Sequence, residues 1–195
     1  VIVVVVYDAL RIARALRISS ETAAASEAFH TQPANPRARL LIIGDSTAVG
    51  TGAEAAGNSV AGRIADAFPK TRIDNRARVG ARIEDLQAQL DAAGDTVYDA
   101  LLIQAGGNDI IRFTALSRVE DELDAVLARA RRLAQHVAVI PPGDIGAAPA
   151  IPWPLSALYS YRSSQVRQRI AIIAGLRDVA FVDLAATASV DSPFE

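Results

Sequence analysis

The sequence predicts a doubly wound α/β domain, in which helices cover both faces of a mostly parallel sheet. Five short apolar segments alternate with stretches whose apolar residues recur at the helical period of 3.6. The connections between successive strands are long enough to hold a helix, and parallel neighbours need such crossovers. With 195 residues, 51% of them hydrophobic, the chain can build one domain with a substantial core.

Each predicted strand is a short apolar run bounded by small or polar residues. The runs are Leu40 to Gly44, the region of Ile73, Ala100 to Gln104, Val137 to Ile140 and Val179 to Val182. Ligands of doubly wound folds bind outside the carboxyl ends of the strands. The residues that follow each run are therefore the first place to look for a functional site.

Four amphipathic stretches separate the strands. Their apolar residues lie three or four positions apart, so that each set shares one helix face. The sets are Val60, Ile64 and Phe68; Ile83, Leu86 and Leu90; Val119, Leu123, Val126, Ala130 and Leu133; and, less regularly, Leu155, Leu158, Arg162, Val166, Ile170 and Ile173. Ser117 followed by Glu120 is a capping-box pattern, which predicts that the third helix begins there.

Residues 1–39 are predicted to be a separate N-terminal segment, and residues 40–195 the domain. Ser19 to Arg39 is a polar, proline-containing stretch without an apolar period, as in a linker. Val1 to Tyr7 is apolar but far shorter than the roughly 20 residues that span a bilayer. It fits a signal-anchor remnant as well as an ordinary strand or helix start. Membrane anchoring is thus expected only through sequence before Val1, and the anchor interpretation favours the cell envelope or export over the cytoplasm.

Composition excludes several classes of function. The 20 basic residues are balanced by 22 acidic ones, so there is no basic excess to bind nucleic acid. The absence of cysteine excludes disulfides, zinc-thiolate sites, iron–sulfur clusters and a cysteine nucleophile, and two histidines leave little for a metal centre. We expect no cofactor and no metal. The abundance of alanine beside a single lysine, Lys70, is typical of a GC-rich bacterial genome.

Ser46 is a candidate nucleophile. It follows the first strand on the turn Gly44-Asp45-Ser46-Thr47, at a position expected to open a helix. There its hydroxyl is accessible, and its backbone N–H can stabilise a developing oxyanion, as in strand–turn–helix nucleophile elbows. Serine is also a preferred helix N-cap, so this segment alone leaves both roles open.

Asn108 and Gly80 are candidates at the same edge of the sheet. Asn108 lies in the turn Gly106-Gly107-Asn108-Asp109 after the third strand, where its amide can donate toward a neighbouring loop. Gly80 follows the second strand and offers a backbone N–H with no side chain over it. Taken singly, the two segments are better explained by a turn-forming asparagine and a plain loop glycine.

A nucleotide site is disfavoured. The stretch Gly44 to Gly52 contains no lysine and therefore lacks the ending of a phosphate-binding P-loop, and its glycines miss the dinucleotide-binding spacing. Adjacent acids such as Glu84-Asp85 diverge around a helix, so a solvated face explains them.

In order and spacing, the segments Gly44 to Thr47, Val79 to Ala81 and Gly106 to Asp109 resemble the first three sequence blocks of the SGNH hydrolases, also called the GDSL esterase/lipase family. Pro141 to Gly143 and Ile151 to Leu155 also resemble the substrate-side loop and following helix of bacterial members. The resemblance extends from about residue 40 to residue 194.

This resemblance implies a three-layer, flavodoxin-like sheet and the hydrolysis of small-molecule esters without a metal or organic cofactor. Ser46 would be the nucleophile. The N–H groups of Ser46 and Gly80 and the side chain of Asn108 would form the oxyanion hole.

The family's fourth block, an Asp-x-x-His pair that supplies the general base and the acid that orients it, has no counterpart here. Ala186 stands three residues after Asp183, and Phe194 stands three residues after Asp191. Because the ending resembles the stretch that precedes the pair in the family, the triad Asp and His are expected beyond Glu195.

The two histidines of the sequence are not expected to replace that base. His136 should lie at the start of the fourth strand, at the opposite end of the sheet from Ser46, and His30 lies in the linker. Both are expected to be surface histidines.

Two classes of function follow. The first is a bacterial serine esterase or lipase that forms an acyl-enzyme on Ser46; a narrower form of it, suggested by the anchor-like start, hydrolyses acetylated envelope sugars or lipid thioesters. The alternative is a noncatalytic binding or scaffold domain that keeps the fold but lacks the histidine.

We predict little or no turnover of ester substrates by residues 1–195 alone. Loss of the general base of a serine hydrolase typically lowers kcat on the order of 10⁶-fold, and the oxyanion hole retains a small residual rate. A steady-state esterase assay on this fragment checks the prediction. A robust rate that disappears in Ser46→Ala would contradict it by revealing another base.

Overall fold

The computed structural model describes Arg14 and residues 26–184, and shows five parallel strands in one sheet. The strands are β1 (Ala38–Gly44), β2 (Thr71–Asn75), β3 (Tyr98–Gln104), β4 (Ala134–Ile140) and β5 (Ala180–Phe181). Their order is β2-β1-β3-β4-β5, the flavodoxin-like order, in which the direction of winding reverses at β1 and β3. The predicted fold class and all five strand positions are confirmed.

Helices connect the strands as right-handed crossovers require. Between residues 26 and 184 the α-helices are α1 (Ser46–Val49), α2 (Val60–Ala67), α3 (Leu86–Ala93), α4 (Gly107–Ile111), α5 (Leu116–Leu133) and α6 (Leu155–Leu176). Short 3₁₀ turns lie at Ala56–Asn58, Ile83–Asp85 and Ile145–Ala147. None of the helices in this described part combines the length and hydropathy that a bilayer crossing needs.

Alternate residues of β1 enter two apolar layers, because successive side chains of a strand point to opposite faces. Leu41 and Ile43 belong to the larger cluster, which also contains residues of α3, α5 and α6. Leu40 and Ile42 belong to the smaller cluster, which contains residues of α1 and α2. The strand that leads to Ser46 is therefore buried from both sides.

Two details of the predicted helices are wrong. Phe68 does not share the buried face of α2, because the helix ends at Ala67 and the Phe68 side chain is 63% exposed. Helix α5 does not begin with Ser117 as its cap. The backbone N–H of Val119 donates to the carbonyl of Ala115, so the chain becomes helical at Leu116 and Ala115 is the N-cap.

The first turns of α6 also differ from the predicted apolar face. Leu155 and Leu158 are exposed, whereas Val166 and Ile170 are buried in the larger cluster as predicted. The start of the helix contacts the turn Ile145–Ala147 instead of the sheet, and the Ile145 N–H donates to the hydroxyl of Ser163 (3.1 Å).

Part of the predicted linker lies against the domain. Thr31 forms an antiparallel bridge with Ile73 of β2, and Phe29 packs against the smaller apolar cluster. The boundary at residue 39 stays a prediction. Val1 to Tyr7, Ala186 and Asp191 lie outside the described residues.

Gly44, at the end of β1, determines how closely β1 and β3 approach. Its φ is +151°, and an added Cβ would overlap the carbonyl group of Gln104. The side chain of Gln89 binds both backbone groups of Gly44: Oε1 accepts from the N–H (2.8 Å) and Nε2 donates to the carbonyl (2.9 Å). The next N–H, that of Asp45, donates to the Gln104 carbonyl (2.9 Å). The turn into Ser46 is therefore held against β3 and α3.

We expect Gly44→Ala to lower the free energy of unfolding by roughly 3 kcal/mol or more, because it combines backbone strain with overlap against β3. Gly175→Ala in α6 is the matched control. An added Cβ there meets no atom within 4 Å, so the better helix propensity of alanine should raise stability by about 0.5–1 kcal/mol. Urea unfolding measures both variants. Equal midpoints would contradict the account of Gly44.

Candidate active site

Ser46 is the first residue of α1, at the carboxyl edge of the sheet. Asp45 is the N-cap of this helix: its Oδ1 accepts from the Thr47 N–H (2.9 Å) and from the Thr47 hydroxyl (2.7 Å). The capping role that the sequence left open for Ser46 therefore belongs to Asp45. Ser46 itself is half-buried.

The loop after β2 runs beside the end of β1. The Arg76 N–H donates to the Ile42 carbonyl (2.7 Å), and the Arg78 N–H donates to the Gly44 carbonyl (3.1 Å). Gly80 follows with a φ of +78°, a left-handed conformation that favours glycine. These bonds bring the backbone before Gly80 alongside the turn that carries Ser46.

Asn108 links the loop after β3 to the loop after β2. It is half-buried at the start of α4, and its Nδ2 donates to the Ala81 carbonyl (3.0 Å), one residue beyond Gly80. A turn-forming asparagine would bind its own backbone instead. The structure thus brings the loops of Ser46, Gly80 and Asn108 together, while the catalytic roles of the three residues stay a prediction.

Two buried carboxylates, Asp45 and Asp109, lie behind these loops. They are 2% and 1% exposed. Burial raises the pKa of Asp45, against the opposing effect of hydrogen bonds from Thr47 and from the Gly107 N–H. Burial likewise raises the pKa of Asp109, against the Ile83 N–H, which donates to its Oδ2 (3.0 Å). Asp45 therefore ties α1 to the start of α4.

The sequence motifs alone indicate no role for either carboxylate. The preference of aspartate for helix N-caps is a signal that points to Asp45. No comparable local signal exists for Asp109, because its partner at Ile83 lies 26 residues away.

The two histidines lie at opposite ends of the sheet. His136 is exposed in the first half of β4, opposite Ala100, at the end of the sheet away from the site. The Nδ1 of His30 accepts from the Asn75 N–H (3.3 Å). Asp183, just after β5, forms an ion pair with Arg167. Within residues 26–184, no cluster of three His, Cys, Asp or Glu side chains is placed to hold a metal ion.

A cavity of about 690 Å³ lies at the amino ends of the strands, lined in part by Arg39, Phe68, His136 and Ala180. None of the three candidate site residues lines it. At the carboxyl edge, by contrast, apolar side chains are exposed on the segments after β3 and β4: Ile111, Phe113 and Trp153, the last of them 82% exposed. The ring of Phe113 lies 5.4 Å from that of Tyr159, so α4 and α6 meet there.

The raised pKa of Asp45 predicts how stability depends on pH. A carboxyl whose pKa is higher in the folded state holds its proton more tightly when folded, so its contribution to stability is fully present below the unfolded pKa of about 4 and is lost as pH rises through the folded pKa. The free energy of unfolding of the natural chain, relative to Asp45→Asn, should therefore fall between pH 4 and pH 7. Urea titrations at the two pH values measure it.

Asp124→Asn is a control in which stability should change with pH in the opposite direction. A hydrogen bond from Arg177 lowers the pKa of Asp124, so the natural chain should gain stability relative to this variant, by a small amount at an exposed site, as pH rises. Parallel pH dependences for the two variants would contradict the assignment to Asp45.

Comparison with known proteins agrees with this geometry. A family model described as the GDSL-like lipase/acylhydrolase family matches residues 42–194. A GDSL-like esterase of Mycobacterium tuberculosis is 36% identical over 129 residues, which are 61% of this chain and 40% of the relative. The chain therefore spans about two fifths of the length of that relative.

Solved structures share the fold. An acetylxylan esterase from Geobacillus stearothermophilus superposes with a TM-score of 0.56 at 21% identity, over 80% of each chain. An extracellular lipase from Streptomyces rimosus gives a TM-score of 0.59 at 21% identity, over 78% of this chain and 82% of the lipase. Because the family match covers most of the chain and includes all three loops of the candidate site, the chain belongs to the GDSL-like lipase/acylhydrolase family of ester hydrolases.

Proposed function

We propose that this protein hydrolyses carboxylic esters through an acyl-enzyme on Ser46. The observation that carries the proposal is the bond from Asn108 Nδ2 to the Ala81 carbonyl, which links one predicted oxyanion donor to the loop that carries another, Gly80. An amide nitrogen has two hydrogens, so one remains for a substrate oxygen. Family membership and the esterase named among the relatives support the reaction class.

In the proposed reaction, Oγ of Ser46 attacks the ester carbonyl carbon while a general base takes the hydroxyl proton. The N–H groups of Ser46 and Gly80 and the free hydrogen of Asn108 bind the resulting oxyanion, each contributing roughly 3 kcal/mol in comparable sites. Collapse of the tetrahedral intermediate expels the alcohol, which receives the proton. Water then attacks the acyl-enzyme and releases the carboxylic acid.

The general base in this proposal is the histidine of an Asp-x-x-His pair, as in the family. Neither His30 nor His136 belongs to an Asp-x-x-His pair, and His136 lies at the opposite end of the sheet. The proposal therefore refers to the natural full-length protein. On the substrate side, the exposed Ile111, Phe113 and Trp153 favour an ester with an apolar acyl or alcohol portion.

The first experiment is intact-mass analysis of the natural full-length protein after treatment with a fluorophosphonate. A single adduct is expected on the natural protein and none on Ser46→Ala, because the probe reacts with an activated serine. The absence of an adduct on a folded natural protein would favour the alternative of a noncatalytic binding domain. An adduct that persists in Ser46→Ala would place the nucleophile elsewhere.

Asn108→Ala should lower kcat for p-nitrophenyl acetate by about 10²–10³-fold, because it removes one oxyanion donor. The KM should change little, since the donor acts mainly in the transition state. Steady-state kinetics measure both values. A loss expressed only in KM would contradict the assigned role.

A further inference from the structure

We propose that Asp109 is a positioning residue for the oxyanion hole: its carboxylate holds the loop of Gly80 in register with the loop of Asn108. The inference rests on the proposed function, which gives these two loops their role. Asp109 itself is not expected to touch the substrate, because it is buried and its carboxylate is engaged by backbone.

Two neighbouring side chains form a double link between the loops. Asn108 Nδ2 donates to the carbonyl of Ala81 (3.0 Å), and Asp109 Oδ2 accepts from the N–H of Ile83 (3.0 Å). Consecutive residues of one loop thus bind alternate residues of the other, one and three positions after Gly80. A single hydrogen bond would allow one loop to rotate relative to the other about that bond. Two hydrogen bonds oppose both rotation and sliding of the loops.

Both ends of the Asp109–Ile83 link are anchored in the core. Ile83 is 1% exposed and belongs to the larger apolar cluster. On the other side, Ile110 is fully buried in the same cluster, and the Asp109 carbonyl accepts from the Thr114 N–H (3.0 Å). The link therefore fixes the loops of Gly80 and Asn108 relative to the packed core.

Burial raises the pKa of Asp109, and the neighbouring charges act on it in both directions. Arg82 and Arg162 attract the carboxylate, whereas Asp45 repels it. Arg162 is 8% exposed, and its guanidinium donates to the Thr114 carbonyl and lies 6.0 Å from the ring centre of Phe113. A buried cation beside a buried carboxylate reduces the cost of burying either charge. Asp109 Oδ2 thus accepts from the Ile83 N–H at a buried position, with a cation nearby.

The effect on catalysis should be large without any contact to substrate. A displacement of about 1 Å from the productive geometry lowers the rate by about 10²-fold, and complete loss of one oxyanion donor by about 10²–10³-fold. Loss of the Asp109 link should therefore lower kcat by about 10- to 100-fold and leave KM nearly unchanged.

The test is a double-mutant cycle on the natural full-length protein. Asp109→Ala, Asn108→Ala and the double variant are assayed with p-nitrophenyl acetate, and kcat is expressed per active site titrated with the fluorophosphonate. If Asp109 acts through the oxyanion donors, its substitution should lower kcat far less in the Asn108→Ala background than in the natural one. A merely structural residue would lower the titrated fraction instead and give additive effects.

Asp99→Ala is the matched control, because the Asp99 carboxylate accepts from the backbone N–H of Arg39 (2.7 Å) at the opposite end of the sheet. It should leave kcat per titrated site unchanged. If Asp109→Ala does not fold, Asp109→Asn serves, since its amide oxygen can still accept from Ile83. This variant should stay within about tenfold of the natural kcat.

An unchanged kcat in Asp109→Ala, full additivity in the cycle, or a loss clearly greater than tenfold in Asp109→Asn would each overturn the inference while leaving the proposed function intact. A natural protein that is not labelled at Ser46 would overturn both.

Discussion

The close approach of β1 and β3 at Gly44 is the constraint on which the candidate site depends. Only a residue without a side chain can lie against the Gln104 carbonyl with this backbone conformation. The bonds from Gln89 to Gly44 and from Asp45 to Gln104 then set the direction in which the chain leaves the sheet. The cap at Asp45 and the contact of the loop after β2 with Gly44 both depend on the position of that turn.

Electrostatics at this edge differ from those of an ordinary surface loop. Asp45 is close enough to Asp109 to raise its pKa, and both carboxylates take hydrogen bonds from backbone N–H groups. A buried carboxylate without such donors would be strongly unfavourable. The two carboxylates thus hold the loop backbone in place through hydrogen bonds. An apolar side chain at either position could pack there, but it could not accept from an N–H group.

The central strands β1 and β3 could be predicted because their apolar runs are buried, so the signal is local. The same holds for Val166 and Ile170 on α6. The ends of the helices were harder to predict than the strands. The end of α2 before Phe68 and the start of α5 at Leu116 depend on backbone hydrogen bonds, and several different sequences can form the same bonds.

The candidate residues at the site were identifiable from short motifs, but their contacts were not. Gln89 reaches Gly44 across 45 residues, and Ile83 reaches Asp109 across 26. The periodicity of apolar residues does not predict such hydrogen-bonded pairs, because they depend on which loops the strand order brings together. Prediction is also limited for neighbouring residues. Serine and aspartate are both preferred N-caps, so the sequence alone does not tell whether Ser46 or Asp45 caps α1.

The bond between Asn108 and Ala81 also bears on the thermodynamics of ligand binding. Because one hydrogen of the amide is already engaged, the side-chain torsions of Asn108 are set in the free protein. In the proposed reaction, little rotamer entropy would then be lost at Asn108 when an ester binds, and the proposed oxyanion donors would contribute nearly the same free energy for every ester. Discrimination among esters would fall to the segments after β4, where Trp153 and the start of α6 can differ without altering that reaction.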